Sequence, residues 1–444
     1  MSEVDLMLRF FVQLIVVLGA CKIIGWLGQR YLGQTQVVME MLTGVVLGPS
    51  LFGLLAPKAQ AWLFPLQATY VVNGHEQQFR HPSMFILYAA SQLGLVLYMF
   101  LIGLEFDPKL IQSRAKGALA VSVAGIAGPF LLGAILGFFT RDGFGLFTPQ
   151  INMPTACLYM GAALCVTAFP MLARIIYEKG ISGTSLGTLA LGAGAAGDVF
   201  AWGLLAVVLA VVKGTWSYAT YAIGGGCLFG FMVLKFGSKL FQFLETQFQK
   251  EGHLSQAVFV TVMLFLFAGA FVTDAIGIYA VFGAFVIGAS MPKGKFGIAI
   301  REKLESVTVG VLLPFFFVYS GLSTSLGLID SAAMVIVTIL VVVAAVAGKG
   351  IACALAARAA GETWSESMAI GTLMNARGLM ELIIINIGLQ QHVITPRLYT
   401  IMVVMAIVTT LMASPIFQWI YRKHLGYLTH DPPEMAAEHM LDAV

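Results

Sequence analysis

Asp198 is the residue through which this chain can do chemistry. It is the sole charged side chain between Thr184 and Val212, a run of otherwise apolar and small residues. A carboxylate at the centre of a hydrocarbon layer costs roughly 2.5–3.5 kcal/mol on the most lenient insertion scale, so such a group is retained for a task. The apolar segment before it is interrupted at Thr167-Ala168-Phe169-Pro170, where proline removes a donor and frees backbone carbonyls. A buried carboxylate holds a proton or a desolvated monovalent cation, but not both. The Thr167 hydroxyl and the carbonyls freed by Pro170 are the oxygen ligands that a small hard cation requires. Exclusive occupancy of one acid is enough to couple opposed movements of a cation and a proton. No other metal and no bound cofactor is implied, and the pattern is that of a transporter, not an enzyme.

Other charges lie at depth. Lys349 sits in the apolar stretch 329–358. It either pairs with Asp198 and yields when a cation arrives, or titrates as a second group; the plainer alternative is a fixed Asp198–Lys349 ion pair that only sets helix packing. Arg377 and Glu381 are four residues apart and share a helix face. With Asn375 they flank a second break, Asn375-Ala376-Arg377-Gly378, where Arg377 is read as support that offsets helix-end dipoles. Were Arg377 to face the site, a small organic anion moved with protons would be the alternative substrate. Glu40 and Glu366 lie on apolar segments at shallower depth, while Arg9 and Lys22 are near enough to segment ends to snorkel.

The elements that must position these residues are membrane helices. The chain is 59% hydrophobic and 11% charged, against about 25% charged in soluble domains. A net charge of +3 argues for neither nucleic acid nor an acidic partner. Segments long enough for the ~20 residues a bilayer needs occur near 6–29, 35–55, 87–106, 115–139, 155–177, 184–212, 216–240, 254–273, 276–292, 304–326, 329–358, 364–388 and 396–421. That is thirteen. With the N-terminus outside, sixteen lysines and arginines, Lys109 among them, fall in inner loops and the tail, against five outside: Lys58, Arg80, Arg141, Lys213 and Arg397. This bias places the C-terminus in the cytoplasm. The acidic start has no small-residue cleavage site and reads as a retained first helix in a plasma or inner membrane. Residues 424–444 form a short tail, too small for a regulatory domain.

A weak internal echo divides the chain. Gly44 to Ser50 in the second segment resembles Gly283 to Ser290 in the ninth, and Leu97 to Leu104 in the third resembles Phe315 to Leu322 in the tenth. The breaks at 167–170 and 375–378 match in the fifth and twelfth. Each pair is seven segments apart, and an odd offset inverts the second copy in the membrane. Inverted repeats with interrupted helices at matching positions mark a secondary transporter with a site near the midplane. Within the transmembrane domain 1–423, helices 87–212 and 304–421 are expected to form a core and 6–55 with 216–292 an interface. Gly192 to Gly197 spells G-x-G-x-x-G but lies inside a helix with no strand before it, so close packing explains it. The five cysteines show no C-x-x-C pair and read as packed thiols. Of the seven histidines, His253, His424 and His430 are candidates for sensing cytoplasmic pH, with solvated bystanders the plainer reading.

Thr-Ala-Phe-Pro-Met-Leu-Ala-Arg at 167–174, Gly-Asp-Val-Phe-Ala-Trp at 197–202, Gly-Lys at 348–349, Met-Asn-Ala-Arg-Gly-Leu-Met-Glu-Leu at 374–382 and Glu40 to Ser50 together resemble the monovalent cation:proton antiporter-2 family, especially its branch with plant and fungal cation/H+ exchangers. The resemblance implies an all-α fold of thirteen helices with crossed broken helices, a homodimer, and exchange of Na+ or K+ for H+ by an elevator-like movement. It also implies that Asp198 is the essential aspartate, Lys349 the membrane lysine and Thr167 the crossing-helix threonine. Electrogenic members carry a second acid before the key aspartate and others Asn or Gln, whereas this chain has Gly197; one-for-one electroneutral exchange is the simpler expectation. The nucleotide-binding tail of glutathione-gated potassium efflux systems is also absent, so gating of that kind is not expected.

Overall fold

The computed structural model describes residues 3–428 except 33, 35, 73–74, 107–113, 182–183 and 323. Lys109 and the tail beyond 428, with His430, therefore lie outside the described residues. The chain runs through α1 (Glu3–Leu32), α2 (Gln36–Leu47), two short helices α3 (Phe52–Leu55) and α4 (Pro57–Leu63), and an antiparallel hairpin of β1 (Gln67–Val72) and β2 (His75–Arg80). Next come α5 (Pro82–Glu105), α6 (Ala115–Thr140), α7 (Met153–Cys165), α8 (Phe169–Glu178), α9 (Ser185–Lys213), α10 (Trp216–Met232), α11 (Ser238–Glu251) and α12 (Gln256–Ala275). The last are α13 (Ala280–Ser290), α14 (Lys295–Val307), α15 (Leu313–Leu322), α16 (Ala332–Ala359), α17 (Trp364–Leu373), α18 (Leu379–Gln390) and α19 (Pro396–Leu428).

Among the described residues, ten helical stretches are long and apolar enough to cross a membrane, with shorter apolar helices at Met153–Cys165, Ala280–Ser290 and Glu381–Gln390. The thirteen segments expected from sequence all contain helix. The hairpin was not expected, because its strands lie between apolar runs and carry no core-facing alternation strong enough to announce them. Helix ends follow local chemistry: Asn152 Oδ1 accepts from Thr155 N at 3.0 Å, Thr184 Oγ1 from Gly187 N at 3.1 Å, and Thr363 with Glu366 closes a capping box.

Packing sorts the helices into two groups. In one, α6 lies against α7, α9 and α16, and α16 against α17 and α19; in the other, α5 lies against α13 and α15, and α15 against α2. The segments 87–106 and 304–326, assigned from sequence to the core, thus pack with α2 and α13. Glycines decide this. A Cβ on Gly44 would stand 2.9 Å from the Gly321 Cα, and one on Gly103 would stand 2.9 Å from the Gly288 Cα, so α2 meets α15 and α5 meets α13 at backbone contact. These are one contact seen twice. If the second segment matches the ninth and the third matches the tenth, then a second-to-tenth contact in one copy becomes a ninth-to-third contact in the other. The inverted repeat suspected from short echoes is expressed in the packing.

Candidate functional site

Both broken spans come to one place. The first span stops at Cys165 and restarts at Phe169; the second stops at Leu373 and restarts at Leu379. Ala168 N donates to the Ala376 carbonyl at 3.3 Å, joining the two breaks backbone to backbone. Pro170 does not occupy the break. It is the second residue of α8, where a missing amide hydrogen leaves no intrahelical bond unmade.

Each helix end created by the breaks is given a polar partner, and at three of the four ends that partner carries charge of the favourable sign. The carbonyl end of α7 faces two cations: Arg377 donates to the Leu164 carbonyl at 2.7 Å and to the Ala163 carbonyl at 3.5 Å, and Lys349 Nζ donates to the Cys165 carbonyl. The amide end of α8 faces a carboxylate, with Phe169 N donating to Asp198 Oδ1 at 3.5 Å. The carbonyl end of α17 is met by a neutral amide, Asn375 Nδ2, which donates to the Gly371 carbonyl at 3.1 Å and the Val346 carbonyl at 3.4 Å. At the start of α18, Glu381 lies in the first turn and accepts from Arg377 at 3.2 Å. Positive groups at carbonyl ends and negative groups at amide ends are what aligned peptide dipoles favour.

The seven residues expected at the site therefore divide. Asp198 and Thr167 are buried at the crossing. Arg377 and Glu381 form a fully buried pair, and Lys349 is equally buried. Asn375 caps a helix. Of Pro170 only the backbone is described. The carbonyls of 163–165 accept from Arg377 and Lys349, whereas the carbonyl that a proline at 170 leaves without a helical donor is that of Val166. One expectation changes. Among the described residues Asp198 makes no ion pair with Lys349, whose ammonium is directed at a backbone carbonyl instead. The terminal nitrogens of Arg377 are likewise engaged by two carbonyls and Glu381, while its Nε has no partner.

Sequence reading passed over Ser122 on α6. Its helix buries a stripe of small residues, Ala118, Ser122, Gly125, Pro129, Gly133 and Gly137, at helical spacing, and that stripe was the available signal. Ser122 is 1% exposed and faces Gly197. An apolar cavity of about 530 Å³ between α6, α9 and α10 has Cys165, Gly197, Phe200 and Ile223 in its wall.

Crossed, interrupted helices around a buried carboxylate without an ion-pair partner among the described residues define an ion-coupled membrane transporter. A model of the family described as "Sodium/hydrogen exchanger, transmembrane" matches residues 11–423, and the chain belongs to that family. It is a multi-pass integral membrane protein. Among its relatives, the Na(+)/H(+) antiporter NhaS4 of Synechocystis is 37% identical over 94% of this chain and 98% of its own length. Cation/H(+) antiporter 17 of Arabidopsis thaliana is 36% identical over 92% of this chain, and K(+)/H(+) antiporter 1 of Saccharomyces cerevisiae 27% identical over 93%. The chain spans about half the length of the plant and yeast proteins, covering 48% and 46% of them. The structure of the sodium proton antiporter MjNhaP1 from Methanocaldococcus jannaschii superposes with a TM-score of 0.66 at 14% identity, covering 94% of this chain and 99% of that one, which establishes the fold.

Proposed function

We propose that the protein exchanges a monovalent cation, Na+ or K+, for H+ across a membrane, one for one and without net charge transfer, with Asp198 binding cation and proton in turn. One observation carries this reading. The other charges buried at the crossing each have an oppositely charged or carbonyl partner, although Arg377 Nε and Glu381 Oε2 are left without one: Arg377 has Glu381 and two carbonyls, and Lys349 has the Cys165 carbonyl. Asp198 has one long backbone contact and no basic neighbour in pairing range among the described residues. It is the carboxylate left open for an ion. A single acid, with Gly197 before it, supports electroneutral stoichiometry. The resemblance to the antiporter-2 family supports a homodimer and an elevator-like movement, and the lysine and arginine distribution supports an outside N-terminus.

The test uses proteoliposomes with an acidic interior and an internal pH dye. Addition of Na+ or K+ outside is expected to collapse the gradient in the wild type and not in Asp198→Asn, with the same rate when the membrane potential is clamped at zero or set negative inside. Equal collapse by Asp198→Asn would overturn the assignment of the site. A rate that follows the potential would overturn electroneutrality.

A further inference from the structure

We propose that Ser122 is an oxygen ligand of the transported alkali cation, reaching it through the hollow that Gly197 leaves beside Asp198. The inference rests on the antiport reading and adds a residue that the family resemblance did not supply. Ser122 sits on the buried stripe of α6, is 1% exposed, and its Oγ has no hydrogen-bond partner. Among the described helix residues Thr308, Ser320, Ser367, Thr400 and Ser414 share that state, but of these hydroxyls only Ser122 lies within 4 Å of a Cβ built on Gly197. Other helix hydroxyls, those of Thr43, Thr140, Thr338 and Thr372, each donate to the carbonyl four residues earlier, at 2.7–2.8 Å. Leaving a buried hydroxyl unpaired costs about 1–3 kcal/mol, and at Ser122 a bound cation would recover it.

Its direction identifies the partner. A Cβ placed on Gly197 would lie 3.6 Å from Ser122 Oγ and 3.8 Å from Thr167 Oγ1, with no other atom within 4 Å apart from its chain neighbours and its own helix backbone. Two hydroxyls from different elements therefore converge over a bare Cα, one residue before the carboxylate. Glycine there leaves a space bounded by oxygen. Ser122 from α6, Thr167 from the break between α7 and α8, and Asp198 from α9 together offer two neutral oxygens and one anion, the donor set that suits a dehydrated monovalent cation. A proton needs only the carboxylate. Loss of Ser122 should therefore weaken the cation and spare the proton.

The experiment measures thermal stabilisation of the purified, detergent-solubilised protein by NaCl or KCl, with choline chloride holding ionic strength constant. A ligand that binds only the folded state stabilises it by RT ln(1+[L]/Kd), so Tm climbs once the concentration exceeds Kd. For wild type a cation-specific rise is expected, and for Asp198→Asn none. Ser122→Ala is expected to need roughly three- to tenfold more cation for the same rise above its own cation-free Tm, the worth of one hydrogen-bond-strength contact. Ser122→Thr restores the hydroxyl and should return that concentration to the wild-type range. In proteoliposomes Ser122→Ala should raise the apparent KM for the cation by the same factor, with Vmax at saturating cation unmoved. A purely structural serine would shift the cation-free Tm and leave the concentration dependence alone. If Asp198→Asn loses the effect while Ser122→Ala matches wild type, the Ser122 assignment is overturned and the antiport reading stands. If Asp198→Asn still shows the wild-type concentration dependence, the site itself is wrong, and Ser122 with it.

Discussion

At the scale of single residues, the site is organised by where the buried cations point. Lys349 is aimed at the carbonyl end of α7 and not at Asp198, while Arg377 divides its guanidinium between that helix end and Glu381. A desolvated ammonium needs acceptors, and three carbonyls at a helix end supply them at fixed positions. Two outcomes follow from this. Glu381→Ala strands a guanidinium that is 0% exposed, and removal of one partner of such a pair costs about 3–5 kcal/mol; thermal unfolding in detergent should show a large fall in Tm, and Glu381→Gln a smaller one. Lys349→Met keeps the aliphatic stem but deprives the Cys165 carbonyl of its donor, a loss of about 1–3 kcal/mol. A lower Tm with the pH profile of exchange in place is the expected result. A displaced profile would instead make Lys349 a titrating participant.

Among the elements, helix starts and glycine contacts carry the specific information. His81 precedes α5 just outside the span, and its ring Nδ1 accepts from Ser83 N at 3.2 Å. Burial, with help from the Arg9 cation, holds the imidazole below its ordinary 6.5. Because the folded protein prefers the neutral ring, the stabilisation from this cap is complete above pH ~6.5 and is lost as the pH falls through the lowered value. His81→Asn keeps a capping acceptor and removes the titration. Its Tm should therefore vary less than that of wild type between neutral and mildly acidic pH. The contact of α2 with α15 gives a sharper outcome. Gly321→Val places a branched side chain whose Cβ would sit 2.5 Å from the Gly44 carbonyl carbon. The helices must separate, and the variant should show reduced Tm and reduced yield of folded protein, whereas Gly203→Ala, with open space around it, should show neither.

For the whole molecule, charged contacts mark two opposite ends. At one, Lys293 donates to the Gly103 and Leu104 carbonyls, Arg301 pairs with Glu105 at 2.8 Å, and Arg114 pairs with Glu362 at 2.6 Å. At the other, Arg397 pairs with Asp330 at 3.0 Å, and Thr148 and Thr395 tie the loop at 145–148 to 392–395. The first end collects residues of the inner set defined by charge bias, the second those of the outer set. Sidedness is directly testable. In a background with the exposed Cys227 replaced, Lys58→Cys should react with a membrane-impermeant maleimide in intact cells, and Lys303→Cys only after permeabilisation; the reverse pattern would invert the molecule.

The apolar helical segments, their inversion at an offset of seven, both breaks and the central acid were legible in the chain, because hydrocarbon selects strongly against charge, polar backbone and proline wherever they lack a purpose. Asp198 stands out for that reason, as do Thr167 and the pair Arg377 and Glu381. The hairpin at 67–80 lies outside that selection and left no comparable trace. Partnership was not legible. Which helix receives Lys349, that Pro170 starts a half-helix instead of opening the break, that α5 packs with α13, and that Ser122 meets Thr167 over Gly197 all depend on contacts between residues tens to hundreds of positions apart. Apolar membrane helices are nearly interchangeable in composition, so their neighbours are fixed by close backbone approach at glycines and by the few buried polar groups that must find partners, and only the tertiary structure decides those.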